Sequence, residues 1–407
     1  MPYAFRRQPL KGLYLTYQLI LTLFVRFPLW TIFNIPRALR PKRTWSWKRA
    51  MLARLIRLVN GLGDQVGSLL STANHKAIVS GAGINGVWVG AAGHLVTGKL
   101  QTWAAIAKVA SVRLPGYWVH KKGTSIKVGS TPQPGEKVIY QLHGGAYIRL
   151  SANPKDVTAT ISKGYAKYID TVQRVFSIEY RLASAKPFEI AYPFPTQLID
   201  ALAGYNYLVN VVGFAPENII VSGDSAGANL AHALTRYLTE YQGTPDVPLP
   251  GPPSALILLS PWVDLGTGHD KIPNGSIKTN LVTDYLGPGG GIKWAKGAFC
   301  GPHGLGAAET NEYISPASLH SSLVVDFKKF PRTFIVSGGA EVLYDSILTL
   351  KKRMVADLGE GDGVKPEDGK VRYYEAPDAV HDYLVFMWHE PERSETYKAI
   401  NKWIHAS

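Results

Sequence analysis

Residues 218–234 read NIIVSGDSAGANLAHAL, an apolar run followed by a glycine-flanked serine and an amphipathic stretch. The run 218–222 predicts a buried strand, and the residues after Ser225 predict a helix. Glycines two positions before and after the serine, Gly223 and Gly227, allow the strand and the helix to approach closely. The pattern therefore predicts a sharp strand-to-helix turn that presents Ser225 as a nucleophile, beside a helix N-terminus that favours negative charge.

A second glycine motif follows another predicted strand, some 80 residues before the serine. The strand 137–142 (KVIYQL) runs into His143 and two glycines. Adjacent glycines allow backbone amides to converge on one point, so we expect the amides of Gly144, Gly145 and Ala226 to form an oxyanion hole. His143 precedes the serine in the chain, and we expect it to brace the glycine loop rather than to act as the base.

A serine nucleophile needs a base, and the base needs an acid that orients it. His381 follows a predicted strand, in a loop before the last predicted helix. Glu341 lies at the carboxyl end of the predicted strand 333–338, and Asp345 lies one turn further on. We predict His381 as the base and Glu341 as the acid, with Asp345 as the alternative acid.

Strands and helices alternate along the chain from about residue 117. This alternation predicts βαβ units, and hence an α/β domain around a mostly parallel, buried sheet. The predicted strands are 137–142, 173–179, 218–222, 255–260, 333–338 and 370–375. The predicted helices lie near 155–170, 196–211, 226–242, 345–358 and 392–405.

The charge is distributed unevenly along the chain. Residues 1–135 contain 19 Lys or Arg and one acid, whereas residues 136–407 contain 25 basic and 29 acidic residues. A hydrophobic content of 46% excludes a disordered chain. A basic amino-terminal third on a slightly acidic body indicates a segment that contacts an anionic surface, and it does not suggest a nucleic-acid-binding protein.

The amino-terminal segment has two uncharged stretches, 12–25 and 27–36, that only Arg26 separates. Together they are long enough to cross a hydrocarbon core of about 30 Å. Arg26 and Pro28 disfavour a clean span, while eight Lys or Arg within 37–57 fit a membrane–water interface. We expect membrane association, at the endoplasmic reticulum or another endomembrane. A helical lid packed on the body is the alternative.

Residues 266–330 interrupt the alternation of predicted strands and helices. This segment is glycine-rich and lacks a strong hydrophobic period, and a loop of this length is usually a functional cover. We expect it to form, with residues 40–110, a cap over the carboxyl edge of the sheet; a poorly ordered surface insertion is the alternative. The predicted organisation is a membrane-associating segment 1–60, a helical cap contribution 61–116 and a catalytic domain 117–407 that contains the insertion.

We expect neither a cofactor nor a metal. Cys300 is the only cysteine, which excludes a cysteine-rich zinc site. The sequence GAGING at 81–86 matches a dinucleotide-binding pattern, but no acid that could bind a ribose occurs between Asp64 and Glu136. The segment 93–100 resembles a phosphate-binding loop but lacks the Ser or Thr that would meet magnesium.

Six motifs of the body occur together in one known group of enzymes. They are HGGAY at 143–147, EYRLA at 179–183, PFPTQLIDAL at 193–202, SGDSAGANLAHAL at 222–234, SPWVDL at 260–265 and VHDY at 380–383. With these motifs the chain resembles, over about residues 137–390, the hormone-sensitive-lipase-like branch of the α/β-hydrolases. That branch includes arylacetamide deacetylase-like and fungal steryl-acetate-hydrolase-like enzymes.

The resemblance implies the α/β-hydrolase fold with a helical cap, and the same catalytic and oxyanion residues as above. The chain departs from the family pattern at three places. The acid is Glu341 where Asp is commoner, which leaves Asp345 open. Ala146 replaces a third glycine, which should narrow the acyl pocket without removing a donor, and the segment 184–192 is longer than expected.

The sequence thus predicts a serine hydrolase that cleaves short-acyl, acetyl-type esters of lipophilic alcohols such as sterols, terpenoids or other secondary metabolites. Its expected partners are a lipophilic ester substrate and a membrane surface. An amidase, lactonase or acyl transferase with the same triad is an alternative within the enzymes. A non-catalytic ligand-binding receptor on the same fold is the alternative from another class.

Overall fold

The computed structural model describes residues 2–69, 73–245, 247–287 and 290–406. Residues 70–72 and 288–289 of the predicted cap therefore lie outside the described residues. The described strands are β1 (Asn85–Val89), β2 (Leu114–His120), β3 (Lys137–Leu142), β4 (Val172–Ile178), β5 (Ile219–Asp224), β6 (Ala255–Leu259), β7 (Arg332–Gly338) and β8 (Val371–Ala376). They form one eight-stranded sheet in the order β1-β2-β4-β3-β5-β6-β7-β8.

The sheet is mostly parallel, as the alternation of strands and helices predicts. β3 to β8 pair in parallel, and β2 is antiparallel to both β1 and β4. The six predicted strands are present, each within two residues of its predicted boundaries. The prediction of an α/β fold around a mostly parallel sheet is confirmed.

The two antiparallel strands, β1 at the edge of the sheet and β2 beside it, were not predicted. β1 lies within the segment 61–116 that the sequence assigns to the helical cap, and β2 begins in it, so this assignment is corrected. β1 is short, and most of its residues are half-exposed. Its partner β2 is antiparallel, so β1 is not part of a βαβ unit. An edge strand of that kind lacks the fully buried apolar run by which the central strands are recognised.

Helices cover both faces of the sheet. The side chains of β5 alternate between two apolar cores, with Val221 in one and Ile220 in the other. The first core includes α6 (Thr196–Asn206), α7 (Ala226–Glu240) and α11 (Tyr344–Leu358), and the second includes α5 (Ala159–Tyr168) and α12 (Glu392–His405). The remaining described α-helices are α1 (Leu10–Leu21), α2 (Phe27–Asn34), α3 (Trp47–Val66), α4 (Gly98–Ala107), α8 (Ser276–Thr279), α9 (Gly290–Cys300) and α10 (Ala307–Thr310).

The amino-terminal helix is continuous from Leu10 to Asn34, because a π-helical turn at Thr22–Arg26 joins α1 to α2. Pro28 stands at the start of α2, where its missing N–H costs little. Arg26 donates to the Gln18 side chain at 2.6 Å. The helix is long and apolar enough to span a membrane, a property that an amino-terminal signal sequence shares.

The segment 266–330 is built of short helical pieces, and it packs on the carboxyl end of β7. The Asn280 side chain donates to the Glu341 carbonyl at 2.9 Å, and the Thr283 hydroxyl donates to the Ala340 carbonyl at 2.8 Å. The Asn60 side chain of α3 donates to the Tyr285 carbonyl at 3.4 Å, which brings α3 to the same place. The described part of this segment is therefore an ordered cover next to the strand ends.

Candidate active site

The turn between β5 and α7 carries Ser225 in a backbone conformation that is rare for a residue with a side chain. Its φ is 52° and its ψ is −117°. A Cβ atom on Gly223 would overlap the Gly227 carbonyl, and one on Gly227 would overlap the carbonyl of Leu142 at the end of β3. Only glycine fits at these two positions, so the close crossing of strand and helix depends on both residues.

Ser225, His381 and Glu341 form one chain of hydrogen bonds. The Ser225 Oγ and the His381 Nε2 lie 2.9 Å apart, and the His381 Nδ1 lies 2.7 Å from the Glu341 Oε2. All three residues are buried, with Ser225 only 8% exposed. The structure thus brings together the three residues to which the sequence assigns nucleophile, base and acid.

The second carboxylate oxygen of Glu341 is held by the protein. The Gly338 amide donates to Oε1 at 2.7 Å, and the Ser260 hydroxyl donates to it at 3.2 Å. Burial raises the pKa of Glu341 to about 7, against the opposing effect of the His381 hydrogen bond. These bonds fix the carboxylate so that its other oxygen faces the imidazole.

Asp345, the alternative acid of the sequence analysis, is engaged elsewhere. Its carboxylate accepts a hydrogen bond from the Ser276 amide at 2.7 Å, at the start of α8. Among the described residues no hydrogen bond or ion pair joins it to His381. The geometry therefore favours Glu341 as the partner of the imidazole.

Two further carboxylates next to His381 were missed by the sequence reasoning. The Asp382 Oδ2 lies 3.2 Å from the His381 Nε2, on the nitrogen that faces Ser225. Asp284, from the cap segment, accepts from the amides of Tyr285 at 2.7 Å and His381 at 3.3 Å. Asp382 stands in the VHDY motif, but nothing in the sequence indicated that Asp284 would reach the same loop.

The carboxylates around His381 raise the affinity of its ring for a proton. Burial alone would lower the pKa of His381, but the nearby Asp382 and Glu341 carboxylates outweigh it and raise the pKa well above its ordinary value. Burial also raises the pKa of Asp224, and the neighbouring Asp382 adds to this effect. The carboxylates around His381 therefore favour the protonated ring more than its burial alone would allow.

The glycine loop after β3 lies beside Ser225, and one expectation for it is corrected. The Gly144 amide donates to the Asp224 Oδ2 at 2.9 Å, so this amide is already engaged and does not serve an oxyanion hole. Among the described residues, the amides of Gly145, Ala146 and Ala226 have no hydrogen-bond acceptor. Gly145 has a φ of 113°, which favours glycine.

His143 occupies the position that the sequence analysis expects. Its ring stacks on the Tyr180 ring with centroids 4.1 Å apart, and its Nδ1 lies 2.7 Å from the Gly144 carbonyl oxygen. Burial lowers the pKa of His143 to about 4, so the ring is neutral near pH 7. It braces the glycine loop and has no contact with the Ser225 hydroxyl among its described hydrogen bonds.

A cluster of buried aromatic rings lies beside the glycine loop and the nucleophile. The Tyr147 and Phe299 rings are stacked with centroids 3.9 Å apart and an interplanar angle of 3°. The Trp262 amide donates to the Ser225 carbonyl at 3.0 Å, and its ring lies 6.5 Å from that of Tyr147. We call Tyr147, Trp262 and Phe299 the aromatic wall.

Among the described residues, no group of three or more His, Cys, Asp or Glu side chains is arranged to hold a metal ion. The carboxylates around His381 are engaged by backbone amides, by the imidazole and by Gln141, whose amide donates to the Asp224 Oδ1 at 2.8 Å. The arrangement is a hydroxyl, an imidazole and a carboxylate joined by hydrogen bonds, with amides that lack an acceptor nearby.

The sequence profile of the α/β hydrolase fold family matches residues 139–385, which is more than half of the chain, and the chain belongs to this family. It is 28% identical to the esterase LipU of Mycobacterium tuberculosis, over 74% of this chain and 92% of the relative. It is also 28% identical to an acetyl-hydrolase of Streptomyces hygroscopicus, over 66% of this chain and 74% of the relative.

The fold is that of known esterases. A crystal structure of a hormone-sensitive lipase from a metagenome library matches 88% of this chain and 91% of its own, with a TM-score of 0.54 and 22% identity. The prediction of an α/β-hydrolase of the hormone-sensitive-lipase-like branch is confirmed, and the protein is a carboxylic ester hydrolase.

Proposed function

We propose that the protein hydrolyses esters through Ser225, His381 and Glu341. The Ser225 oxygen attacks the carbonyl carbon of the ester while the His381 Nε2 takes its proton. Glu341 holds the ring and stabilises the imidazolium. The ring then protonates the leaving alcohol, and water releases the acyl group from Ser225 by the same steps in reverse. The observation that carries this proposal is the pair of hydrogen bonds, at 2.9 and 2.7 Å, that links the three side chains.

The oxyanion of the tetrahedral intermediate would be bound by the free amides of Gly145, Ala146 and Ala226. Ala226 is the first residue of α7, so the positive end of the helix dipole lies at the same place. Donors that are already fixed by the backbone need no reorganisation when the charge develops. Gly144 contributes indirectly, because its bond to Asp224 fixes the loop.

Replacing Glu341 with Gln should lower kcat/KM for p-nitrophenyl acetate by a factor on the order of 10³–10⁴, because the ring loses its orienting charge. The matched variant Asp345→Asn should retain activity within about tenfold, since that carboxylate contacts Ser276 instead. Steady-state kinetics on both variants measures the difference. Ser225→Ala should not react with a fluorophosphonate probe. A larger loss in Asp345→Asn than in Glu341→Gln would refute the assignment of the acid.

The pH dependence follows from the carboxylates around the base. Glu341, Asp382, Asp284 and Asp224 all act on the His381 ring or its loop. As the pH rises through the pKa of His381, the imidazolium loses its proton and can accept the proton of Ser225. Because that pKa is raised, the acidic limb of kcat/KM should lie above the ordinary histidine range.

Asp382→Asn should move the acidic limb of kcat/KM to lower pH by about one unit, since the variant removes a negative charge beside Nε2. The limb is measured with p-nitrophenyl acetate over the stable pH range of the protein. Asp270→Asn removes an equivalent charge at an exposed position and should leave the limb unchanged. A limb that stays in place, or moves to higher pH, in Asp382→Asn would contradict the role given to this carboxylate.

We infer that the acyl group of the substrate is short and that its alcohol is lipophilic. The aromatic wall is buried and closely packed, and its Trp262 is bonded through the backbone to Ser225, which favours a short acyl chain. The similarity to an acetyl-hydrolase agrees with an acetyl-type ester. An acetylated sterol, terpenoid or other secondary metabolite fits these features.

A series of p-nitrophenyl esters from acetate to palmitate should give its highest kcat/KM at acetate to butyrate. Phe299→Leu shortens the aromatic wall, and the maximum should move to longer chains in this variant. Phe330→Leu makes the same change in the core away from the wall, where Phe330 packs on His232 and Phe327, and should not move the maximum. A wild-type maximum at laurate or beyond would exclude a short-acyl enzyme.

We also propose that the amino-terminal helix attaches the protein to a membrane, with an endomembrane such as the endoplasmic reticulum as the expected location. Large apolar side chains are exposed along the whole helix, and Phe24 is 74% exposed. This surface is poorly suited to water, since large exposed apolar patches mark interaction sites.

Phe24→Asp should shift the expressed protein from the membrane fraction to the soluble fraction, because it puts a charge into the apolar surface of the helix. Immunoblotting of sedimented membranes measures the distribution. Val324 is 83% exposed on a loop of the cap segment, so Val324→Asp is the matched control and should not change the distribution. Equal sedimentation of wild type and Phe24→Asp would refute attachment through this helix.

A further inference from the structure

A cavity of about 460 Å³ lies between the amino-terminal helix, α3 and the cap segment at residues 282–284. It is separate from the Ser225 hydroxyl, which is not among its lining residues. The amino-terminal helix contributes Arg26 and Trp30 to its wall, and α3 contributes Arg54 and Arg57. The proposed ester hydrolysis uses none of these residues.

Three arginines of the cavity have no acidic partner. Arg26 donates to Gln18 and Thr22, and Arg57 donates to the Leu281 carbonyl. No salt bridge of the described residues includes either of them or Arg54. The cavity thus concentrates positive charge that the protein does not neutralise.

Arg54 is the arginine least satisfied by the protein. Its Nε is buried and has no hydrogen-bond partner among the described residues. Burial lowers the pKa of Arg54, and the nearby Arg57 lowers it further. A buried donor without an acceptor is costly, and a guanidinium binds carboxylates and phosphates with two parallel hydrogen bonds. An anionic group in the cavity would accept a hydrogen bond from the unpartnered Nε of Arg54. It would also offset the repulsion between the charges of Arg54 and Arg57.

Asp284 is the acid that lines the cavity, and it does not serve the arginines. One of its oxygens accepts from the Tyr285 and His381 amides, and the other accepts from the Val342 amide at 2.8 Å. The carboxylate is therefore engaged by backbone donors of the catalytic loops. Among the described residues, no acid forms an ion pair with these arginines, so the cavity is complementary to an anionic ligand.

The amino-terminal segment is joined to α3 just before its helix begins and again at the end of α2. The Phe5 amide donates to the Gln65 carbonyl at 3.0 Å, and the Asn34 side chain lies 4.0 Å from the Met51 sulfur. Asn34 and Gln18 are both buried, while apolar side chains occupy the exposed surface. The polar side of the helix faces the protein, and this favours a helix that lies in the membrane surface.

We propose that this cavity binds the phosphate headgroup of an anionic membrane lipid. The proposal rests on the membrane attachment proposed above. A helix lying in the interface places the neighbouring cavity at the depth of the headgroups, and Arg54 with Arg57 and Arg26 supplies the complementary charge. The ligand would bind by charge-assisted hydrogen bonds, and the acyl chains would remain beside the exposed apolar side of the helix.

Arg54→Lys tests the cavity, because it keeps the charge and removes the planar fork of donors. The affinity of the full-length protein is measured by co-sedimentation with phosphatidylcholine vesicles, with and without phosphatidic acid. We expect wild type to bind the vesicles that contain phosphatidic acid more tightly. Arg54→Lys should lose about tenfold in affinity for these vesicles and nothing for the neutral ones.

Arg43→Lys is the matched control, since Arg43 is an exposed basic residue outside the cavity. It should bind both vesicles as wild type does. Equal affinities of Arg54→Lys and wild type for phosphatidic acid vesicles would overturn the proposal, and so would a wild type that ignores phosphatidic acid. Turnover of p-nitrophenyl acetate in solution, measured on the same samples, reports on the ester hydrolysis alone and separates its failure from a failure of lipid binding.

Discussion

The close crossing of β5 and α7 at Ser225 is the constraint on which the site depends. Gly223 and Gly227 leave no room for a side chain, and the Leu142 carbonyl of β3 closes the third side. The strand and helix therefore meet at a fixed point, and Ser225 is forced to a φ of 52°. The surrounding sheet, buried on both faces, supplies the stability that holds this strained conformation.

Asp224, the residue before the nucleophile, links this turn to the glycine loop. Its carboxylate accepts from the Gly144 amide and the Gln141 side chain, so two neighbouring strands and the loop share one buried acid. The bond takes one amide of the loop and leaves those of Gly145 and Ala146 without an acceptor. The loop is thereby held in place beside Ser225 with free donors.

Negative charge surrounds the proposed base. Glu341 meets one ring nitrogen of His381, Asp382 lies near the other, and Asp284 binds the backbone of the same residue. Ester cleavage forms an imidazolium, and these carboxylates lower the free energy of that cation. The same charges raise the pKa of the His381 ring before the reaction begins. The carboxylates therefore stabilise the imidazolium that forms during catalysis, but they also reduce the fraction of neutral ring that can act as the base.

The amino-acid sequence was sufficient to predict the central strands, the candidate residues Ser225, Glu341 and His381, and the apolar amino-terminal segment, because buried runs and glycine spacing are local patterns. The three-dimensional structure was needed to show that Asp224 engages Gly144, that the Asp382 carboxylate lies beside the His381 ring, and that Asp284 binds the His381 backbone. It also revealed β1 and the cavity between α3 and the amino-terminal helix. These features join residues that are far apart in the chain or depend on backbone direction, and neither property leaves a periodic signal in the sequence.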